Sequence, residues 1–131
     1  MASIKQFEYM EIWQKARVQA RSCYALSEIA FTNHDFELAN ALPKTSGSVM
    51  DNIAEGFGRG GNKEFAQFLS VSYASSTELK SQLYRFCDRA YHSENVEGLL
   101  SSCESLKNQI NAFMMYLKKS DLKGYKFKDN K

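Results

Sequence analysis

The sequence predicts an all-α protein, an up-down antiparallel four-helix bundle, and three observations carry that reading. Apolar residues recur at three- and four-residue steps through four separate stretches, which gives each stretch one buried helical face. A single proline, Pro43, leaves these stretches nearly uninterrupted. No stretch carries a strand signal, and the connections are short, as antiparallel neighbours require. The 131 residues suit one domain, and 44% hydrophobic with 24% charged residues is ordinary for a globular chain. The expected bundle spans residues 1–117, with helices at about 7–31, 34–57, 62–91 and 95–117. Residues 118–131 form a basic tail expected to be flexible.

The first helix places Tyr9, Ile12, Trp13, Ala16, Ala20, Cys23, Ala30 and Phe31 along one face. Val18, Ala25 and Ile29 form a second apolar stripe on nearly the opposite face. A monomeric bundle needs only one stripe per helix, so the second predicts a contact outside the chain's own bundle. Thr32-Asn33-His34-Asp35 breaks the pattern, and Thr32 and Asp35 have the spacing of a capping box. The second helix buries Leu38, Leu42, Val49, Ile53 and Phe57. Pro43 lies too far inside it for the tolerated first turn, which predicts a kink or a displaced helix start. Ser46, Gly47 and Ser48 are small enough for another helix to approach closely.

Asn62 is the expected N-cap of the third helix, with Glu64 at its positive end. Phe65, Phe68, Leu69, Ser72, Ser76, Leu79, Leu83, Phe86, Cys87 and Ala90 make its core stripe. Tyr73, Tyr84 and Tyr91 fall in a second line, about 100° around the helix. Tyrosine suits half-buried surfaces, so this line reads as a subunit contact in preference to a stacking platform for bases. The fourth helix carries a clean heptad of Val96, Leu99, Cys103, Leu106, Ile110, Phe113 and Leu117.

Composition excludes several classes of function. No run approaches the roughly 18 apolar residues of a membrane span, and the start lacks a signal-peptide layout, so a cytoplasmic location is expected. Cys23, Cys87 and Cys103 are far apart on apolar stripes, unlike zinc ligands, and read as buried thiols. Glu55, Glu64 and Glu78 lack the Glu-x-x-His partners of di-metal bundles, because His34 and His92 lie at turns. No catalytic constellation, metal site, cofactor or small-molecule substrate is expected.

Charge is unevenly distributed. From Lys118 to Lys131 six lysines stand against Asp121 and Asp129, a surplus of four positive charges; with a net charge of +2, the body is about −2. This predicts an electrostatic contact for the tail, through Lys118, Lys119, Lys123, Lys126 and Lys128.

Between the second and third helices lies Asn52-Ile53-Ala54-Glu55-Gly56-Phe57-Gly58-Arg59-Gly60-Gly61, which holds four of the seven glycines. Its Gly56-Phe57-Gly58-Arg59-Gly60-Gly61 satisfies G-x-G-x-x-G, but the dinucleotide fingerprint needs a strand before it. Gly56 is expected to end the helix in the left-handed conformation. Glu55 and Arg59, four apart, are spaced for a local ion pair. Arg59, Lys63 and the free N–H groups of the third helix remain as a candidate phosphate contact.

With these residues the chain resembles the bacterial four helix bundle protein family, first known from intervening sequences within 23S ribosomal RNA genes. The resemblance runs from Phe7 to about Leu117. It rests on Asn52-Ile53-Ala54-Glu55-Gly56 with Gly58-Arg59, then Glu64-Phe65, Phe68-Leu69, Ser75 and Glu78-Leu79. Trp13, Ala16, Tyr24 and Ser48 agree upstream; Ala41, Pro43 and Ala74 depart from the family's usual glutamine, basic residue and glycine. The resemblance implies a bundle assembled into a ring, typically a pentamer, and an association with RNA or another nucleic acid. Related accessory proteins of diversity-generating retroelements form similar rings. The expected function is therefore a non-enzymatic homo-oligomeric module that binds nucleic acid. A protein-interaction scaffold without nucleic-acid binding is the alternative.

Overall fold

A computed structural model describes the backbone of residues 5–129 and the side chains of residues 5–120. A 3-10 turn over Phe7–Tyr9 leads into α1 (Glu11–Thr32), α2 (Phe36–Gly58), α3 (Asn62–Cys87) and α4 (Glu97–Asp129). No strand occurs among the described residues. α2 packs on both α1 and α3, α3 packs on α4, and α4 closes more thinly against α1. Consecutive helices joined by short reversals make this an up-down four-helix bundle.

Two apolar clusters fill it. One gathers Ile12, Val49, Ile53, Leu69, Leu106 and Ile110, with Phe57 and Phe113 packed against it near the α2–α3 turn. The other gathers Cys23, Leu38, Leu42, Leu79, Leu83 and Phe86 toward the opposite end. Burial pushes the Cys23 thiol up to about 12 and the Cys103 thiol to about 11, so both stay protonated and packed as small apolar groups. A polar cross-link adds to the packing: Lys80 of α3 reaches the Glu104 carboxylate on α4, with which Lys107 of the same helix also pairs.

Several helix ends differ from the sequence expectation. Thr32 is the last residue of α1, and Asp35 itself caps α2 by accepting the Leu38 N–H at 3.3 Å. With that cap in place, α2 starts at Phe36 and runs through Pro43 to Gly58. A displaced start does not occur, because burial of Leu38 and Leu42 before Pro43 and of Val49 after it outweighs a proline cost of about 3 kcal/mol. Gly61, not Asn62, is the N-cap of α3. α3 stops at Cys87 instead of about residue 91, and α4 continues past Leu117 to Asp129. Lysine and leucine in that extension are good helix formers and need no apolar period to continue a helix already begun.

Of Ser46, Gly47 and Ser48, the serines meet their surroundings: Ser46 is buried and Ser48 reaches Ser75 of α3 at 2.8 Å. A Cβ on Gly47 would meet nothing within 4 Å, so its lack of a side chain is not what lets a helix approach. Gly56 fills that role. A Cβ on Gly56 would lie 2.7 Å from Phe68 Cβ and 2.9 Å from Phe65 Cδ1. Gly56 therefore does not end α2 in the left-handed conformation; it lets α3 press against α2. The left-handed glycine is Gly60, at φ +84°, beyond the helix end.

Candidate nucleic-acid interface

The motif residues divide between a seam and a turn. Along the α2–α3 seam, Thr45 donates to Glu78 Oε1 at 3.1 Å and Gln82 donates to the same oxygen at 3.3 Å. The Ser48 and Ser75 hydroxyls share a hydrogen bond of 2.8 Å, and Ser72 donates to the Val49 carbonyl at 2.7 Å. Asn52 donates to the Ser48 carbonyl at 2.8 Å and to its hydroxyl at 3.1 Å. Asn52 and Glu78 thus belong to one polar ladder that sets how α2 and α3 align. With Gly56 beside it, most of the motif is spent on this helix pair.

Arg59 and the glycines beyond it form the exposed remainder. Arg59 pairs with Glu55 at 3.1 Å, and its guanidinium carbon lies 5.0 Å from the Phe68 ring centroid. Both partners of the ion pair are about half exposed, so the pair adds little stability and a stronger anion displaces Glu55 at small cost. Gly58 and Lys63 are exposed. The start of α3 is not an open anion cradle, because the Glu64 carboxylate folds back against Gly61, where any Cβ would collide with it.

On another side of the same turn, a groove of about 500 Å³ opens between the start of α3 and the later turns of α4. Its lining includes Gly60, Gly61, Asn62, Phe65, Phe113 and Tyr116. It reaches Met10 and Ser120, so the glycine turn, the beginning of α1 and the basic part of α4 meet at one end of the bundle. Lys118 and Lys119 are exposed there; Lys119 follows Tyr116 by three and shares its face, whereas Lys118 points away. The side chains of Lys123, Lys126 and Lys128 lie outside the described residues. Of the expected basic cluster, Arg59, Lys63, Lys118 and Lys119 share this end without converging on one point.

The expected contact stripes separate into outward and inward residues. Val18 is 60% exposed and Tyr84 54%, and Ala25 also faces outward. Ile29 packs on the second core cluster, and Tyr73 packs on the first, with Lys107 over its ring. Tyr91 leaves the α3 line altogether. It sits in the α3–α4 connection and donates to Asp35 Oδ2 at 2.7 Å, while Arg89 donates to the same oxygen at 2.8 Å. Burial opposes ionisation of Asp35, but the bonds from Tyr91, the Leu38 N–H and Arg89 hold its carboxyl below the usual value. Burial first, then the Asp35 carboxylate, pushes the Tyr91 phenol up to about 12.

Sequence reasoning missed this clasp, since its members stand more than fifty positions apart with no local pattern linking them. It also missed the groove. The available signal was Tyr116, an aromatic residue off the α4 heptad beside heptad Phe113. Among the described residues, no group of three His, Cys, Asp or Glu side chains is arranged to hold a metal ion. No helix among them is long and apolar enough to cross a membrane.

No curated protein and no solved structure matches the chain. A family model described as 23S rRNA-intervening sequence protein matches residues 8–112, from the first turn through α1, α2, α3 and half of α4. On that match, spanning most of the bundle, the chain belongs to the 23S rRNA-intervening sequence protein family.

Proposed function

We propose that this protein is a non-enzymatic, homo-oligomeric helical module, in a ring by analogy with its family, that binds RNA at the glycine-turn end of the bundle. The observation that carries the reading is the meeting, at that end, of the Arg59–Lys63 turn with the lysine-rich part of α4. Arg59 is available because its exposed partner Glu55 yields to phosphate at small cost. The family's description, a protein of sequences that intervene in 23S rRNA, is compatible with an RNA partner and names no ligand. Oligomerisation is supported by the exposed apolar residues Val18 and Tyr24 of α1 and Tyr84 of α3, which do nothing for a monomer.

The test is a titration of fluorescent RNA at several salt concentrations, with size-exclusion light scattering on the same preparation. Phosphate-driven binding weakens with salt, with a slope of roughly −0.7 per neutralised phosphate on a single strand. Replacing Arg59 and Lys63 together by alanine lowers affinity and shallows that slope. Absence of any RNA binding at low salt removes the reading. In that event the outward faces of α1 and α3 favour the second one, a scaffold that docks another protein, and a stoichiometric protein partner without nucleic acid is its signature.

A further inference from the structure

The groove beside the glycine turn has a composition that phosphate binding alone does not require. Its floor is a continuous series of rings: Phe57 to Phe65 at 6.1 Å, Phe65 to Phe113 at 5.4 Å, and Phe113 to Tyr116 at 6.3 Å between centroids. The inner rings are packed on the core and stiffen the outer one. Tyr116 ends the series 56% exposed, a flat aromatic surface with no core to serve. Across from it, Gly60 offers bare backbone, and Asn62 offers an exposed amide that both donates and accepts hydrogen bonds. A volume of about 500 Å³ lies within the range of roughly 300–1,000 Å³ common for small-ligand clefts.

We propose that this groove receives one unstacked nucleobase of a single-stranded RNA, laid on Tyr116, with the flanking phosphates held by Lys119 and the basic residues of the turn. The inference rests on the RNA-binding reading above and adds what part of the RNA is held and how. Aromatic faces accept any base, and an amide at the rim meets base edges that a duplex keeps paired. Charge is complementary to that occupant: Lys119 stands on the Tyr116 face of α4, with Arg59 and Lys63 at the adjoining turn. The Glu64 carboxylate over Gly61 directs phosphate away from the helix start and leaves the groove to the uncharged base. A helical duplex cannot enter, because its bases are stacked and paired inside.

Anisotropy titrations of the full chain against a single-stranded RNA, the same strand with abasic sites, and its duplex test the assignment. Tyr116→Ala is expected to weaken binding of the intact single strand roughly ten- to hundred-fold, the loss of one stacked base, without altering the salt slope. Tyr116→Phe keeps the ring and is expected to keep affinity, which separates stacking from folding. The abasic strand and the duplex bind more weakly and are indifferent to Tyr116. If RNA binds but Tyr116→Ala changes nothing, phosphates alone hold it and this inference falls while the RNA reading stands. If no RNA binds at any salt concentration, both fall. If Tyr116→Ala instead lowers the oligomer mass and spares RNA affinity, a second copy occupies the groove and the base assignment is overturned.

Discussion

The two ends of the bundle are built on different principles. At one end, where α1 turns into α2 and α3 into α4, Asp35 caps α2 and gathers Arg89 and Tyr91 onto one carboxylate oxygen. His34 takes a left-handed backbone there at φ +60°, and Arg85 pairs with Glu37 nearby. At the other end the α2–α3 turn has no side-chain cap on α3, a left-handed Gly60 and an exposed ion pair. The first end is closed by polar side chains that satisfy one another. The second is held from below, by the contact of Gly56 with Phe65 and Phe68, and leaves its upper surface unused by the fold. Surface that folding does not consume is available for binding, which is why RNA binding is proposed for the glycine end.

The contrast can be broken by substitution, and the largest effect belongs to Gly56. A methyl group there overlaps the Phe68 Cβ, itself fixed to the α3 backbone, so one of the helices must shift. Gly56→Ala is expected to destabilise the bundle by about 2–3 kcal/mol, since overpacking costs roughly 1–3. Chemical denaturation measures it, and the loss should be the same at pH 7 and pH 4, because no charge is involved. A cost below about 0.5 kcal/mol would show that the helices part easily and that the glycine end is not held by shape.

Asp35→Ala comes next, at about 2 kcal/mol, from the lost N-cap and the stranded Arg89 and Tyr91 donors. This loss depends on pH. The folded carboxyl titrates below its ordinary value of 3.8, so its stabilising contribution is complete above that value and disappears as pH falls through the lower, folded one. Tyr91 works in the opposite sense: its phenol is raised from 10.0 to about 12, so the proton it contributes stabilises the fold below pH 10 and is lost between 10 and about 12. Denaturation midpoints of the parent and of Asp35→Asn across both windows check this, and a parent whose stability ignores both windows would refute the clasp.

Arg59→Ala is the smallest change, a few tenths of a kcal/mol at most, because its pair with Glu55 is half exposed. The same substitution is expected to matter for RNA affinity. A residue dispensable for stability and needed for binding would sharpen the difference between the two ends; one that unfolds the protein would erase it.

Helix identity, number and most buried faces were legible in the chain by itself, because a 3.6-residue period records which side of each helix avoids water. Tyr9 and Phe31, expected on the buried face of the first helix, are instead 67% and 62% exposed, since they lie at its two ends, where the neighbouring helices leave them largely uncovered. Leu38, Leu42, Val49 and Ile53 of α2, and Leu106 and Ile110 of α4, are buried as the period requires. The ion pair of Glu55 with Arg59 was equally legible, being a matter of four-residue spacing. What spacing cannot report is which residue of one helix meets which residue of the next. Gly47 and Gly56 look alike in sequence, yet only Gly56 faces a neighbouring helix closely enough for a methyl group to collide. Tyr73, Tyr84 and Tyr91 share a helical line on paper; α3 ends before Tyr91, and the tyrosine is drawn to Asp35. The groove under Tyr116 likewise exists only because reversal of the chain brings the glycine turn beside α4. Local periodicity determined the helices and their apolar faces, since both depend on residues within two turns of each other. Tertiary packing alone decided the roles of Gly56, Asp35 and Tyr116, since each depends on a partner that only the folded bundle supplies.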